Sequence, residues 1–216
     1  MTAVPDLVEV VDRLLAPEGG CVWNRAQTHA SLARYAVEES YELVDAIDSG
    51  DDAEIREELG DVLYQVVLHA GIAAAAGRFD LEDVAAEVRD KMVRRHPHVF
   101  GDEHADTEEE VVRVWRAAKA AEKAARTSVF DGVPRAMPPL ERAVKLLERL
   151  EERGDAEAVV GAAVGAGREQ EGRDEAWGSA MLEQVAAARA AGIDPVRGLR
   201  AAVARLEEVG RAGDPG

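Results

Sequence analysis

The sequence predicts an all-α protein, a helical bundle built around an antiparallel helix pair. Three observations carry this. The chain is 47% hydrophobic but only 4% aromatic, and it is rich in Ala, Leu, Val and Glu, a composition that favours helices. Its apolar residues recur at spacings of three and four, the stripe of a half-buried helix. Two acidic clusters, Glu38-Glu39-Ser40-Tyr41-Glu42 and Glu58-Leu59-Gly60-Asp61, sit inside stretches that otherwise read as apolar helix.

The elements follow in order. An amphipathic helix is expected from Asp6 to about Ala16, stopped by Pro17 and Gly19-Gly20. After a loop from Cys21 to Gln27, Thr28 is placed to cap a long helix reaching about Ile47. Gly50-Asp51-Asp52 turns the chain into a second long helix over about 52–76, with Ile55, Leu59, Val62, Leu63, Val66, Val67 and Ala70 as its core face. From Val62 to Ala76 this helix is apolar nearly all round, which places it at the centre of a bundle or at a subunit interface. Asp80 caps a further helix ending at Arg95. Thr107 with Glu110 forms a capping box for another, running through Trp115 to about Ala125. Residues 1–127 are therefore read as one domain and 128–140, with three prolines and a glycine, as a linker. Residues 141–216 form a second helical segment, in which Gly154 to Gly172 shows poor helical periodicity.

The acids carry the chemistry. Glu39 falls on the apolar stripe of its helix, seven residues after Leu32 and four before Leu43, and Glu42 follows three residues later. Glu58 and Asp61 repeat the spacing and continue into Gln65 as a polar line beside the next helix's core face. Ionised carboxylates near a core repel one another or take up protons unless a cation sits between them. Ligation by oxygen alone points to magnesium, with manganese as the second candidate, rather than to zinc. Lys91 and Arg95 lie four apart on one helix, and Trp115 and Lys119 four apart on another. Cations for phosphate oxygens and a flat ring for a base complete what a polyphosphate ligand needs.

The formal net charge of −17 excludes other classes, because such a surface repels a nucleic-acid backbone or an anionic membrane. Residues 1–140 hold 15 Lys+Arg against 28 Asp+Glu, a net of −13, so the acidity belongs mainly to the first part. Cys21 is the only cysteine and reads as a small buried hydrophobe in a reducing cytoplasm. Asp6, Glu9 and Asp12 near the N-terminus are unlike a signal peptide, and no apolar run reaches membrane-spanning length.

The ordered set Gln27-Thr28-His29, Glu38-Glu39-x-x-Glu42, Glu57-Glu58-Leu59-Gly60-Asp61, Gly77-Arg78-Phe79-Asp80 and Arg94-Arg95-His96-Pro97-His98-Val99-Phe100 resembles the MazG-type nucleoside triphosphate pyrophosphohydrolases. The resemblance covers about residues 5–150. It implies an all-α bundle completed by dimerisation that uses magnesium to cleave NTPs or dNTPs between the α and β phosphates, releasing a monophosphate and pyrophosphate. By position it implies Glu39, Glu42, Glu58 and Asp61 as metal ligands, Lys91 and Arg95 as phosphate contacts, and Trp115 and Lys119 as further nucleotide contacts. Glu38 matches the remaining acid, for which the resemblance implies a catalytic part, either orienting water or supporting the metal ligands from behind. Where the family often has Cys-Pro-Trp-Asp this chain has Cys21-Val22-Trp23-Asn24, so the loop geometry departs while Trp23 and Gln27 stay as base contacts.

A second copy is traceable in the tail. Ala176-Trp177-Gly178-Ser179 resembles the Glu-Leu-Gly-Asp turn, with Ala176 in place of a Glu and Ser179 in place of an Asp; Val209 stands where a second basic residue is expected. The tail is read as a degenerate repeat without metal ligands. Two rival readings remain: a catalytically silent helical partner protein, and a related all-α hydrolase of dUTP or phosphoribosyl-ATP.

Overall fold

The computed structural model describes residues 3–122, 128–168 and 172–212, and every regular element among them is helical. The chain divides into two units, Met1–Glu122 and Lys123–Gly216.

The first unit holds α1 (Ala3–Leu15), α2 (Val22–Arg25), α3 (His29–Ser49), α4 (Asp52–Ala75), α5 (Leu81–Arg95), α6 (Pro97–Phe100) and α7 (Glu108–Glu122). Capping groups set the main boundaries. Thr28 and Ser31 exchange side-chain bonds in a capping box at the start of α3, and Asp80 with Asp83 does the same for α5. Gly50 closes α3 in the left-handed region at φ 76°, and the Asp51 side chain then accepts from the Ala53 amide to start α4. Thr107 and Glu110 pair reciprocally ahead of α7.

With only Gly50 and Asp51 between them, α3 and α4 pack as an antiparallel hairpin, and α1 lies against α4. Gly71 permits that approach, since a Cβ there would stand 2.9 Å from Leu15 Cδ1 and 3.0 Å from Val11 Cγ1. Val11, Leu32, Val67 and Leu68 are the fully buried centre, packed round by Leu7, Val8, Leu15, Tyr35, Tyr64, Ile72 and Leu81.

The buried face of α4 differs from the one the spacing assigns to it. Val67 and Ala70 are buried, together with Leu68 and Ala73, whereas Leu59, Leu63 and Val66 are 53%, 38% and 40% exposed. A helix apolar nearly all round carries no information about which of its stripes its own chain covers. Here α1 and α3 take one side, and the stripe through Leu59 and Leu63 stays open.

The second unit contains α8 (Pro139–Arg153), α9 (Ala156–Arg168), α10 (Arg173–Ala190) and α11 (Pro195–Ala212). Of the stretch Gly154 to Gly172, Ala156–Arg168 is helical, against its weak periodicity, because its alanines favour a helix, which packs along α10, while 169–171 lie outside the described residues. Helix α8 also packs on α10, and Arg189 of α10 reaches Glu151 of α8 at 2.7 Å. Leu147, Leu150, Val164 and Val185 are its buried centre. A leading helix packed on the second member of a helix pair is the arrangement of α1, α3 and α4 as well. No helix among the described residues is long and apolar enough to cross a membrane.

Candidate functional site

Glu39 of α3 and Glu58 and Asp61 of α4 face one another, each offering one carboxylate oxygen within 4.8 Å of the others. The helical spacing puts Glu58 and Asp61 on adjoining turns, and the α3–α4 hairpin carries Glu39 across to them. Gln65, 7% exposed, donates its side-chain amide to Glu39 Oε1 at 3.3 Å. Glu42, one turn beyond Glu39, lies close enough to raise the Glu39 carboxyl and adds its negative charge to the field at Glu58.

The crowding has an electrostatic cost. Burial, then the neighbouring Glu42 carboxylate and the charge of Asp61, holds the Glu39 carboxyl above its ordinary value, against the lowering effect of Gln65. Burial first and the charges of Glu42 and Asp61 next push Glu58 up as well. Glu58 Oε2 is buried without a hydrogen-bond partner. An acceptor oxygen left without a donor, beside two more carboxylates, fits a divalent cation with oxygen ligands. Glu38 is exposed, and among the described residues no hydrogen bond or ion pair joins it to the cluster.

The basic and aromatic residues gather on α5 and α7. The Arg95 guanidinium lies 5.5 Å from the Trp115 ring centre and Lys119 Nζ lies 4.6 Å from it. Arg95 also holds Glu122 at 2.6 Å, with Arg94 at 3.4 Å from the same carboxylate. Lys91 lies one turn before Arg95 on α5, partly exposed. Helix α5 packs against both α4 and α7, so it links the acidic helix to the aromatic one.

The loop before α3 uses its residues structurally. The Gln27 amide donates to the Trp23 carbonyl at 2.9 Å and its Oε1 accepts from Ser31 Oγ at 2.8 Å. Trp23 meets Tyr35 edge-on with ring centres 5.9 Å apart. Asn24, buried, accepts from the Tyr64 hydroxyl at 3.3 Å and so anchors the loop in place of the acid the family often has there. Cys21 is only half-buried, and hydrogen bonds from Asn24 and Trp23 at the start of α2 lower its thiol, a departure from the inert hydrophobe expected of it.

Two groups escape sequence reasoning. Arg78, His29 and His69 form a chain: Arg78 Nη2 is 2.7 Å from His29 Nε2, and His29 Nδ1 is 2.7 Å from His69 Nδ1. A guanidinium only donates, so His29 accepts at Nε2, carries its proton on Nδ1 and gives it to His69 Nδ1. Next to them a cleft of about 380 Å³ is lined by Ser40, Gln65, Val66, His69, Phe79 and Val84, so that Gln65 belongs to both cleft and carboxylate cluster. Residues 40 positions apart carry no local signal of such contacts.

An all-α hairpin that presents clustered carboxylates from two facing helices defines a helical protein with a candidate divalent-cation site. Residues 27–100 match the MazG nucleotide pyrophosphohydrolase domain. The chain is 44% identical, over 97% of its own length and 81% of the relative's, to an uncharacterized 26.1 kDa protein in the blaB 3' region of Streptomyces cacaoi. It is also 44% identical over 69% of its length to the nucleoside triphosphate pyrophosphohydrolase of Escherichia coli K12, of which it spans 57%. Among solved structures, a mazG-related protein from Thermotoga maritima aligns at 30% identity and a TM-score of 0.46, covering 53% of this chain and 97% of that one. The chain belongs to the MazG family. It spans little more than half the length of the Escherichia coli pyrophosphohydrolase it matches.

Proposed function

We propose that this protein is a magnesium-dependent nucleoside triphosphate pyrophosphohydrolase that cleaves NTPs or dNTPs between the α and β phosphates. The observation that carries the reading is the convergence of Glu39, Glu58 and Asp61 inside the region matched by the family. Glu39, Glu58 and Asp61, with Glu42 one turn away, would hold magnesium, or manganese in its place. When bound, such an ion supplies charge neutralisation for phosphate oxygens and acidifies a coordinated water.

The chain's own groups do the positioning. Lys91 and Arg95 neutralise the phosphates, Arg95 exchanging its Glu122 partner for a phosphate oxygen. Trp115, already bracketed by Arg95 and Lys119, offers its face to the base. Trp23 and Gln27 border the base from the loop, Gln27 after giving up its bonds to Trp23 and Ser31. Glu38, free of such bonds, orients the attacking water.

The open stripe of Leu59, Leu63 and Val66 supports a homodimer in which a second copy covers α4. Residues 141–216 are a degenerate copy of the first domain, joined by 128–140, with Ala176 and Ser179 on α10 where ligands would stand. The protein acts in the cytoplasm on free nucleotides, not on nucleic acid or at a membrane, as its charge of −17 favours.

The test is incubation of the full chain with each NTP and magnesium, measuring pyrophosphate against orthophosphate. Pyrophosphate with a matching monophosphate is expected. Orthophosphate as the main product would sink the α–β assignment, and no product from any nucleotide would favour a silent partner protein.

A further inference from the structure

The second unit contains a cavity of about 430 Å³ between α8, α9 and α10, with the loop ahead of α8 at its mouth. Its size falls in the range of about 300–1,000 Å³ typical of small-molecule sites. The wall is mainly aliphatic, including Met137, Leu146, Leu150 and Leu182, with Phe130 as its one ring, and among the described residues its only polar side chains are Arg135 and Arg142. No acid lines it.

The arginines are the anomaly. The chain carries 43 Asp+Glu against 26 Lys+Arg, so an arginine has ample choice of partner. On the same helices Arg189 takes Glu151 and Glu148, Lys145 takes Glu148 and Arg149 takes Glu152. Among the described residues the side chains of exposed Arg135 and half-buried Arg142 make no ion pair or hydrogen bond, and Arg142 Nε is buried with no partner. A buried guanidinium donor left unmade costs free energy that an anion would recover.

We propose that this cavity binds a small amphipathic anion, an alkyl chain of medium length ending in a carboxylate. The aliphatic wall takes the chain, and Arg142 with Arg135 takes the head group through paired N–H donors. A nucleotide fits poorly, because the lining offers nothing to the polar edge of a base beyond the same two guanidinium groups. The site is separate from the carboxylate cluster of the first unit and does not depend on that cluster's activity.

The experiment is calorimetric titration of the full chain with decanoate, decanol and decyltrimethylammonium. Decanoate is expected to bind one per chain, and the cationic analogue not at all. Arg142→Gln is expected to weaken decanoate about tenfold or more, the loss of a charged hydrogen-bond partner. Leu182→Trp, which fills the cavity, is expected to abolish binding, and Glu39→Gln to leave it unchanged. The two cavity variants are checked for helical circular dichroism, and Arg142→Lys, which keeps the charge, is expected to retain part of the affinity.

Equal binding of all three probes would overturn the proposal in favour of a merely apolar surface. Unchanged decanoate affinity in Arg142→Gln would show that the arginine stem only covers apolar wall. Absence of decanoate binding, with self-association that Leu182→Trp disrupts, would mean that a second copy of the chain occupies the groove.

Discussion

Gln65 reaches from α4 to Glu39 of α3 with its side-chain amide at 3.3 Å, and among the described residues it is the one neutral donor bonded to that carboxyl. The bond orients Glu39 and opposes the proton uptake that burial and neighbouring acids promote. Gln65→Leu is expected to weaken magnesium binding by about 10–100-fold, as losses of partners behind metal ligands do. Magnesium titration of variant and parent chains checks this.

Glu39→Gln and Asp61→Asn remove charge from the cluster while preserving shape. Each is expected to lower NTP turnover by more than about 100-fold, beyond the range for residues behind the ligands, with the helical circular dichroism spectrum intact. Activity retained in either variant would place the site elsewhere.

The carboxylates make a signed pH prediction. Glu39 and Glu58 are raised in the fold, so between their ordinary and folded values the folded chain binds more protons than the unfolded one. Their contribution to stability is therefore lost as pH rises through the folded values. Metal-free protein is expected to melt at progressively lower temperature across that window. Magnesium is expected to cancel the trend, and its apparent affinity to fall as pH drops into the same window.

The histidine pair acts with the opposite sign. Burial, and secondarily His29, holds His69 below its ordinary value. As pH falls from about 6.5 toward the lowered value, the unfolded chain takes up a proton that the folded chain refuses, so stability declines. Protonated His69 also cannot accept from His29 Nδ1. Thermal melts from neutral to mildly acidic pH should show this loss, and His69→Phe should flatten it.

Packing separates two leucines that look equivalent in sequence. Leu32 is fully buried and Leu59 is 53% exposed. Leu32→Ala is expected to cost about 2–5 kcal/mol in urea unfolding, the range for core truncations. Leu59→Ala is expected to cost far less in dilute protein.

What could be read from sequence follows from how local each signal is. The ends of α3 and α5 are written in Thr28, Gly50 and Asp80, whose capping geometry needs only near neighbours. Glu39 is legible as a candidate because it interrupts an apolar stripe, and Glu58 and Asp61 because they keep a helical spacing. The bond from Gln65 to Glu39 depends on the stagger of α3 against α4, and that between Arg95 and Glu122 on how α5 meets α7. Neither is encoded within one helix. Helix α9 escaped because residues that favour helix without periodic burial leave no stripe.

The open stripe of α4 bears on more than assembly. Leu59 lies between Glu58 and Gly60-Asp61, and Leu63 stands one turn along, so any surface that covers these leucines borders the acids as well. Covering it would strip water from one flank of the carboxylates and lower the local dielectric there. Specific activity per chain should then depend on protein concentration, declining on dilution while the NTP and magnesium concentrations are held constant.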